Sequence, residues 1–225
     1  MPARSPWKAP LALTLLLVAV AVAWDLSGLD LALAQRMGSP AGFALREDWW
    51  LRRVLYDGAR WLAWALGCAL VVGVAWPFGP LRRLPFERRL QLAVSSLLAP
   101  AVVALIKSSS HTSCPWGLAE FGGIARYQSH WTGWFVDDGG SGRCFPAGHA
   151  SAGFAYVAGW FALRRDLPRF ARGWLAASLL GGLALGLVQQ LRGAHFMSHT
   201  LWAACVCAIV GWAMDAAFSA WRGQR

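Results

Sequence analysis

The segment "LRGAHFMSHT", residues 191–200, places one arginine and two histidines between two long apolar runs. The run before it covers residues 173–191, and the run after it covers residues 200–214. Ionisable side chains at membrane depth are costly, and those that are found there usually have a function. The segment therefore predicts two membrane-spanning helices joined by a short polar connection that carries chemistry.

The composition of the whole chain is typical of an integral membrane protein. Of its 225 residues, 57% are hydrophobic and 14% are charged, whereas about a quarter of the residues in soluble domains are charged. The net charge of +10 suits contact with anionic lipid head groups, and a chain this apolar is a poor candidate for binding nucleic acid. The fifteen tryptophans indicate anchoring at the membrane–water interface.

Six apolar segments predict an all-α bundle of six transmembrane helices, forming a single domain over residues 1–225. The segments cover residues 9–24, 61–81, 90–106, 145–163, 173–191 and 200–214. A helix needs about 20 residues to cross the hydrocarbon layer, so the shorter segments are expected to extend into flanking polar sequence. The first segment has an alternative interpretation as a signal peptide, because "AVA" at residues 21–23 resembles a cleavage site.

The distribution of arginine predicts the orientation of the bundle. With the N-terminus inside, the inner connections contain "LRRLPFERR" and "RRDLPRFAR", and both are dense in arginine as the positive-inside rule requires. Residues 25–60, 107–144 and 192–199 then face outward. We expect a multi-pass protein of a bacterial-type inner membrane, with both termini cytoplasmic and the active site facing outward.

The first outer connection mixes aromatic and charged residues. Residues 43–64, "FALREDWWLRRVLYDGARWLAW", show roughly helical spacing and predict an amphipathic helix lying in the interface. An extension of the second span is the alternative interpretation.

Three polar clusters lie at the outward ends of the predicted spans. They are "KSSSHTSCPW" from Lys107, "RCFPAGHAS" from Arg143, and the opening segment with His195 and His199. Lysine, arginine and a glycine-containing turn at a helix start favour binding of a phosphate. One histidine can attack phosphorus while another protonates the leaving oxygen. His111 and His130, in the same outer connection, receive no role.

In order and spacing, the clusters resemble the motifs of the type 2 phosphatidic acid phosphatase (PAP2) family, K-x6-R-P, P-S-G-H and S-R-x5-H-x3-D. The resemblance implies that Lys107 binds phosphate, that His149 is the general acid and that His195 is the nucleophile, which becomes phosphorylated. It also implies that the Gly148 amide donates to the phosphate. It covers most of the chain, including the six-span plan.

This sequence departs from the family pattern at four positions. Cys114 stands where the family has the arginine before Pro115, and Ala147 replaces the serine of P-S-G-H. Gln189 replaces the arginine of the third motif, and His199 replaces its aspartate. We expect His199 to orient His195.

The guanidinium that Gln189 lacks has several candidate sources. Arg192, three residues before His195, is the first, and Arg143 and Arg126 are the others. Arg192 and Arg143 are both predicted to bind the substrate phosphate.

The expected activity is hydrolysis of a phosphate from a lipid phosphate or diphosphate through a phosphohistidine. Polyprenyl diphosphate, phosphatidate-type lipids and lipid A are the candidate substrates, and the expected partners are membrane lipids and the lipid phosphate substrate. Transfer of phosphate between two lipids, and a non-catalytic relative that binds lipid phosphate, are the alternatives. No metal or other cofactor is expected, although His195 and His199, four residues apart, are also spaced for a metal or haem.

The cysteines divide into two groups. Cys68, Cys205 and Cys207 lie in apolar spans and are expected to be free. Cys114 and Cys144 lie outside the spans, each beside a catalytic cluster, and the outer side of an inner membrane is oxidising. If the clusters converge on one phosphate, a Cys114–Cys144 disulfide is predicted, with two free thiols as the alternative. Asp215, near the end of the sixth span, is expected at the interface.

Overall fold

A computed structural model describes residues 8–223 of the chain as an almost entirely helical protein. The longer helices are α1 (Lys8–Ser27), α3 (Ala59–Ala75), α4 (Phe86–Ser108), α7 (Pro168–Leu191) and α8 (Met197–Gly223), and the shorter ones are α2 (Leu29–Gln35), α5 (Ser151–Phe154) and α6 (Val157–Leu163). A π-helix covers Trp50–Gly58, and 3₁₀ turns cover Gly79–Arg83, Pro115–Gly117, Ala119–Phe121 and Thr132–Trp134. Two short strands, β1 (Gly38–Ser39) and β2 (Gly42–Phe43), pair antiparallel, with Gly38 opposite Phe43.

Helix α8 lies at the centre of the bundle and packs against α1, α4, α6 and α7. The main core fills the space between α4, α6 and α8 and includes Leu92, Val103, Phe154, Phe161 and Ala208. Small residues let the helices approach closely, as in other helix pairs inside membranes. A Cβ atom on Gly153 would lie 2.4 Å from the backbone nitrogen of Gly182, so only glycine allows α5 and α7 to meet there.

Five helical segments are long and apolar enough to cross a membrane. They are Ala9–Ser27, Trp50–Arg83, Phe86–Ser108, Pro168–Leu191 and Met197–Gly223. The structure therefore supports a multi-pass membrane protein, with five segments of spanning length among residues 8–223.

The fourth predicted span, residues 145–163, is shorter in the structure than the sequence predicts. Its apolar helix covers only Ser151–Leu163 and is broken between α5 and α6. Residues 145–150 form turns instead, because this part of the chain presents His149 to the site. The apolar sequence is explained by burial inside the bundle, since Val157, Phe161 and Leu163 are completely enclosed by other helices.

The amphipathic segment 43–64 does not form a separate helix. Its helical part begins at Trp50 and continues from the π-helix into α3 without a break. This continuity fits the alternative interpretation, an extension of the second span.

Candidate active site

The three polar clusters meet at one end of the bundle, which we call the histidine end. Lys107 comes from the last turn of α4, His149 from the turn before α5, and His195 from the connection between α7 and α8. All three line a cavity of about 690 Å³, together with Gly148, Gln189 and Arg192. The convergence that the motif order predicts is therefore present in the structure.

His195 is held in place by the turn that ends α7. Gly193 adopts a positive φ of 72°, and the amide of Ala194 donates to the carbonyl of Gln189 at 2.8 Å. This arrangement, with a left-handed glycine just after a helix, is a common helix ending. It stops α7 and points the following residues, including His195, into the centre of the histidine end.

The imidazole of His195 is oriented by groups on its inner side. Nδ1 lies 3.5 Å from Nδ1 of His199 and 3.5 Å from Sγ of Cys144, and the ring also bonds the Cys144 backbone. Nε2 is consequently the nitrogen left for the cavity. Burial, followed by the Lys107 and His199 charges, holds the pKa of His195 well below its usual range. The ring is therefore neutral at pH 7, which is its nucleophilic form.

His149, the predicted general acid, packs against an aromatic ring. Its imidazole stacks on Tyr56, with 4.1 Å between ring centroids and 17° between planes. Burial lowers the pKa of His149 to about 4, although a hydrogen bond to the backbone of Leu55 acts in the opposite direction. Nε2 of His149 has no hydrogen-bond partner within the described chain. His149 is therefore neutral at pH 7 and has one nitrogen available to a ligand.

Two cations complete the inner part of the cavity. The Lys107 side chain passes over Gly148, where an added Cβ would lie 3.6 Å from its Cδ. Arg192 is 7% exposed, its Nε donates to the carbonyl of Arg46 at 3.0 Å, and its guanidinium lies 5.5 Å from the Tyr56 ring centroid. These contacts hold the Arg192 charge at the cavity wall, as expected for a phosphate ligand.

Gln189, which occupies the position of the family's arginine, also lines the cavity. Its Oε1 lies 3.5 Å from Nη1 of Arg192, while its Nε2 has no partner in the described residues. An amide nitrogen oriented in this way can donate to a phosphate oxygen. Gln189 thus keeps a hydrogen bond donor, without the charge, at this position.

Cys114 and Cys144 form a disulfide, with 5.2 Å between their Cα atoms. Cys114 lines the cavity, and Sγ of Cys144 lies 2.9 Å from the carbonyl oxygen of Ala194. The bridge therefore forms a wall of the site at the position where the resemblance implies an arginine. Cys68, Cys205 and Cys207 are free, as predicted.

A metal interpretation of this region has little support. Ligand atoms of Cys144, His195 and His199 lie within 4.8 Å of one another. Because Cys144 is joined to Cys114, its sulfur cannot act as a thiolate ligand. The remaining pair of imidazoles has no buried acidic partner at metal-ligand distance among the residues that the structure describes.

Some predicted residues lie outside the cavity. Arg143 is exposed, does not line the cavity, and makes its recorded contact through its backbone amide, which donates to Ser110 at 2.7 Å. Its φ of 55° directs the chain sharply before Cys144. The prediction that Arg143 binds the phosphate is therefore not supported by its position. His199 lies behind His195 and lines a separate, smaller cavity.

Residues that precede α3 line the cavity although the motifs did not predict them. Arg52, Arg53 and Tyr56 line the same cavity as His195. The two arginines pair with neighbouring carboxylates, Arg52 with Glu47 at 2.8 Å and Arg53 with Asp57 at 3.5 Å. The mixed aromatic and charged pattern of residues 43–64 was the available signal, but its spacing alone does not indicate which cavity the side chains reach.

An apolar groove of about 440 Å³ adjoins the polar cavity. Both spaces share Tyr56, Gly148 and His149. From there the groove runs between α3 and α4, where its walls include Ala63, Trp64, Leu97, Pro100, Ala101 and Ala104. A ligand with a polar head and an apolar chain would contact both spaces at once.

Comparison with known families gives one match. The sequence profile described as the PAP2 superfamily matches residues 88–222, more than half of the chain. This range contains Lys107, His149 and His195 but excludes Arg52, Arg53 and Tyr56. No curated protein and no solved structure matches the chain significantly. Members of this superfamily are generally phosphatases that act on phosphate esters. The length of the profile match and the convergence of all three clusters show that the chain belongs to the PAP2 superfamily.

Proposed function

We propose that the chain is an integral membrane enzyme that hydrolyses the phosphate from a lipid phosphate or diphosphate. The observation that carries this proposal is the two-part site, in which a cation-lined cavity with two histidines adjoins an apolar groove. A phosphate group suits the first part, because Lys107 and Arg192 supply charge and Gln189 supplies a donor. A hydrocarbon chain suits the second.

The proposed reaction begins with attack by Nε2 of His195 on phosphorus. The bond from phosphorus to the leaving oxygen breaks, which is the ester oxygen of a lipid monophosphate or the bridging oxygen of a lipid diphosphate, and His149 donates a proton to that oxygen. Water then attacks the phosphohistidine while His149 accepts its proton, which releases inorganic phosphate and restores His195. A bound phosphate dianion raises the pKa of His149 from its value of about 4, so substrate binding itself supplies the protonated acid.

The proposed substrates are polyprenyl diphosphate, phosphatidate-type lipids and the phosphates of lipid A. All of them combine a phosphate with long apolar chains. For the phosphate to reach His195, the head group must enter the cavity while the apolar chains stay in the membrane. The groove between α3 and α4 gives them a continuous apolar path.

We also propose that the histidine end faces the outside of a bacterial-type inner membrane. Two features support this orientation. The arginine-rich residues 81–89 and 164–172 connect helices at the other end of the bundle, which suits a cytoplasmic surface. The Cys114–Cys144 disulfide lies at the histidine end, which suits an oxidising compartment.

The direct test is release of inorganic phosphate by purified protein from a panel of lipid phosphates. The panel pairs each lipid with a water-soluble ester of the same head group, and His195→Ala serves as the inactive control. Hydrolysis of the lipids, and a phosphorylated intermediate trapped in His149→Ala with a good leaving group, are the expected results. Absence of hydrolysis across the panel with tight lipid binding would favour a non-catalytic lipid-phosphate binder, and phosphate appearing on a second lipid would favour a transferase.

The lipid part of the proposal has its own test. Ala101→Trp fills the groove, whereas Leu105→Trp places the same side chain at a position that is 69% exposed and outside the groove. We expect Ala101→Trp to lower kcat/KM for the long-chain substrate while leaving hydrolysis of the soluble ester unchanged. Equal behaviour of the two variants toward the long-chain substrate would show that the groove does not hold the chain.

A further inference from the structure

The replacement of the family's aspartate by His199 leaves the nucleophile without an adjacent carboxylate. Attack on phosphorus places a positive charge on the buried His195 ring. The cavity next to it already contains Lys107 and Arg192, and its carboxylates, Glu47 and Asp57, are paired with Arg52 and Arg53. A further positive charge in such a site needs a compensating negative charge nearby.

A carboxylate is present behind His199, on the side away from the substrate. Nδ1 of His199 lies towards His195, so its Nε2 belongs to the other edge of the ring. His199 lines a small cavity of about 70 Å³, whose other walls include Asp25, Asp30 and His130. The volume is sufficient for about two water molecules.

His130 lies beside Asp25 in the wall of this cavity. Nε2 of His130 lies 3.4 Å from Oδ2 of Asp25, and the imidazole stacks on Phe145 with 4.1 Å between centroids. The rings of His130 and His199 are perpendicular, with centroids 6.0 Å apart. Two buried imidazoles, those of His199 and His130, thus lie between the nucleophile and a carboxylate near the end of α1.

Asp25 and Asp30 differ in what their oxygens already bind. Asp30 accepts hydrogen bonds from the Ser198 amide at 3.0 Å, from the Ser198 hydroxyl and from Nε1 of Trp24 at 2.7 Å. It therefore anchors the first turn of α8. Oδ2 of Asp25 accepts from Nε1 of Trp131 and Trp202, but its Oδ1 is buried with no partner in the described chain.

We infer that Asp25, acting through His130 and His199, is the positioning carboxylate of this site and stabilises the imidazolium that forms on His195. The unpartnered Oδ1 of Asp25 and the small cavity that Asp25, His130 and His199 share allow water to complete this path. The inference rests on the proposed function, and it assigns a role to α1, which lies outside the range matched by the superfamily profile.

The first test is Asp25→Asn, which removes the charge but keeps an oxygen for both tryptophans. We expect kcat to fall about 10- to 30-fold, as for loss of a charge acting across two rings in a partly buried site, while KM changes less than twofold. Trp131→Phe is the matched control, because it removes a hydrogen bond to Asp25 but leaves the charge. Its kcat should stay within twofold of the parent.

The second test restores the carboxylate next to the nucleophile. In a His199→Asp background, the new aspartate replaces the relay, so Asp25→Asn should then change kcat less than threefold. A purely structural role for Asp25 predicts the same loss in both backgrounds, and that result would overturn the inference. A kcat of Asp25→Asn within twofold of the parent would also overturn it.

A double-mutant cycle decides the matter if His199→Asp is itself inactive. Asp25→Asn and His130→Gln interrupt the same relay. The kcat of the double variant should therefore be no lower than that of the less active single variant. Independent, multiplying losses would overturn the inference. Failure of the proposed function looks different, because the parent would then lack activity or His195→Ala would retain it.

Discussion

The two ends of the bundle differ in whether their buried charges are paired with one another. At the end away from the histidines, Asp215 is completely buried and accepts from Nη1 of Arg88 at 3.1 Å, from Nη2 of Arg164 at 2.7 Å and from Nε2 of Gln91 at 3.1 Å. We call these four residues the Asp215 cluster. At the histidine end, Lys107 and Arg192 face a cavity, and neither has a carboxylate within 4 Å in the part of the chain that the structure describes.

The difference separates a structural use of charge from a ligand-binding use. Buried ions need compensation, and the protein supplies it internally in the Asp215 cluster. Lys107 and Arg192 have no such partner among the described residues, so an anionic ligand is suited to compensate their charge. Its arginine partners allow Asp215 to be buried between α4, α8 and the end of α6, and its expected depth at the membrane interface stays a prediction.

The largest expected effect tests the histidine end. His195→Ala should lower turnover by at least about 10³-fold, as removal of a nucleophile does in other covalent mechanisms. The variant should remain folded in detergent, with a melting temperature close to that of the parent. Phosphate release by the variant at a tenth of the parent rate would rule out His195 as the nucleophile.

The opposite pattern is expected for the Asp215 cluster. Asp215→Asn leaves two arginines without their shared counter-charge, and breaking a buried ion pair costs about 3–5 kcal/mol. Thermal unfolding in detergent should therefore begin at a clearly lower temperature, while kcat per folded molecule stays within twofold of the parent. A selective loss of kcat with unchanged stability would remove the distinction between the two ends.

The disulfide should affect stability and the site together. The bridge joins residues 30 positions apart, for which the chain-entropy model gives about 3–4 kcal/mol. Replacing both Cys114 and Cys144 by serine should lower the melting temperature and also lower kcat, because Cys144 contacts the His195 ring. Alkylation of the denatured parent without reductant, followed by mass spectrometry, should label neither residue; full labelling of both would show that they are free thiols.

The smallest of these effects concerns the phosphate ligand. A hydrogen bond to a charged group contributes about 1.5–3 kcal/mol, so Arg192→Gln should lower kcat/KM by roughly 10- to 150-fold. Arg143→Gln and Arg126→Gln are controls, since both side chains are exposed and outside the cavity. If Arg192→Gln behaves like the parent while either control is inactive, the guanidinium that binds the phosphate comes from residues 107–144.

Local sequence predicted most of the helices and the meeting of the three clusters. Long apolar segments have few alternatives to helices in a membrane, because every backbone polar group must be satisfied internally. The same reasoning predicted too long a helix for residues 145–163, where the apolar helix covers only Ser151–Leu163, since an apolar run that is buried on all sides looks like a run that faces lipid. It also left open the structure of residues 43–64, of which Arg52, Arg53 and Tyr56 line the cavity.

The sequence by itself determined that the chain is helical, that its polar clusters lie at span ends and that its third motif carries two histidines in place of a histidine and an aspartate. Only the tertiary structure decided which charges are paired. Asp215 meets Arg88 across 127 positions of sequence. Asp25, in the N-terminal helix α1, meets His130 in the middle of the chain. Such pairings depend on how helices pack, and packing sets both the distance between two charges and their exclusion from water, which together govern the strength of their interaction.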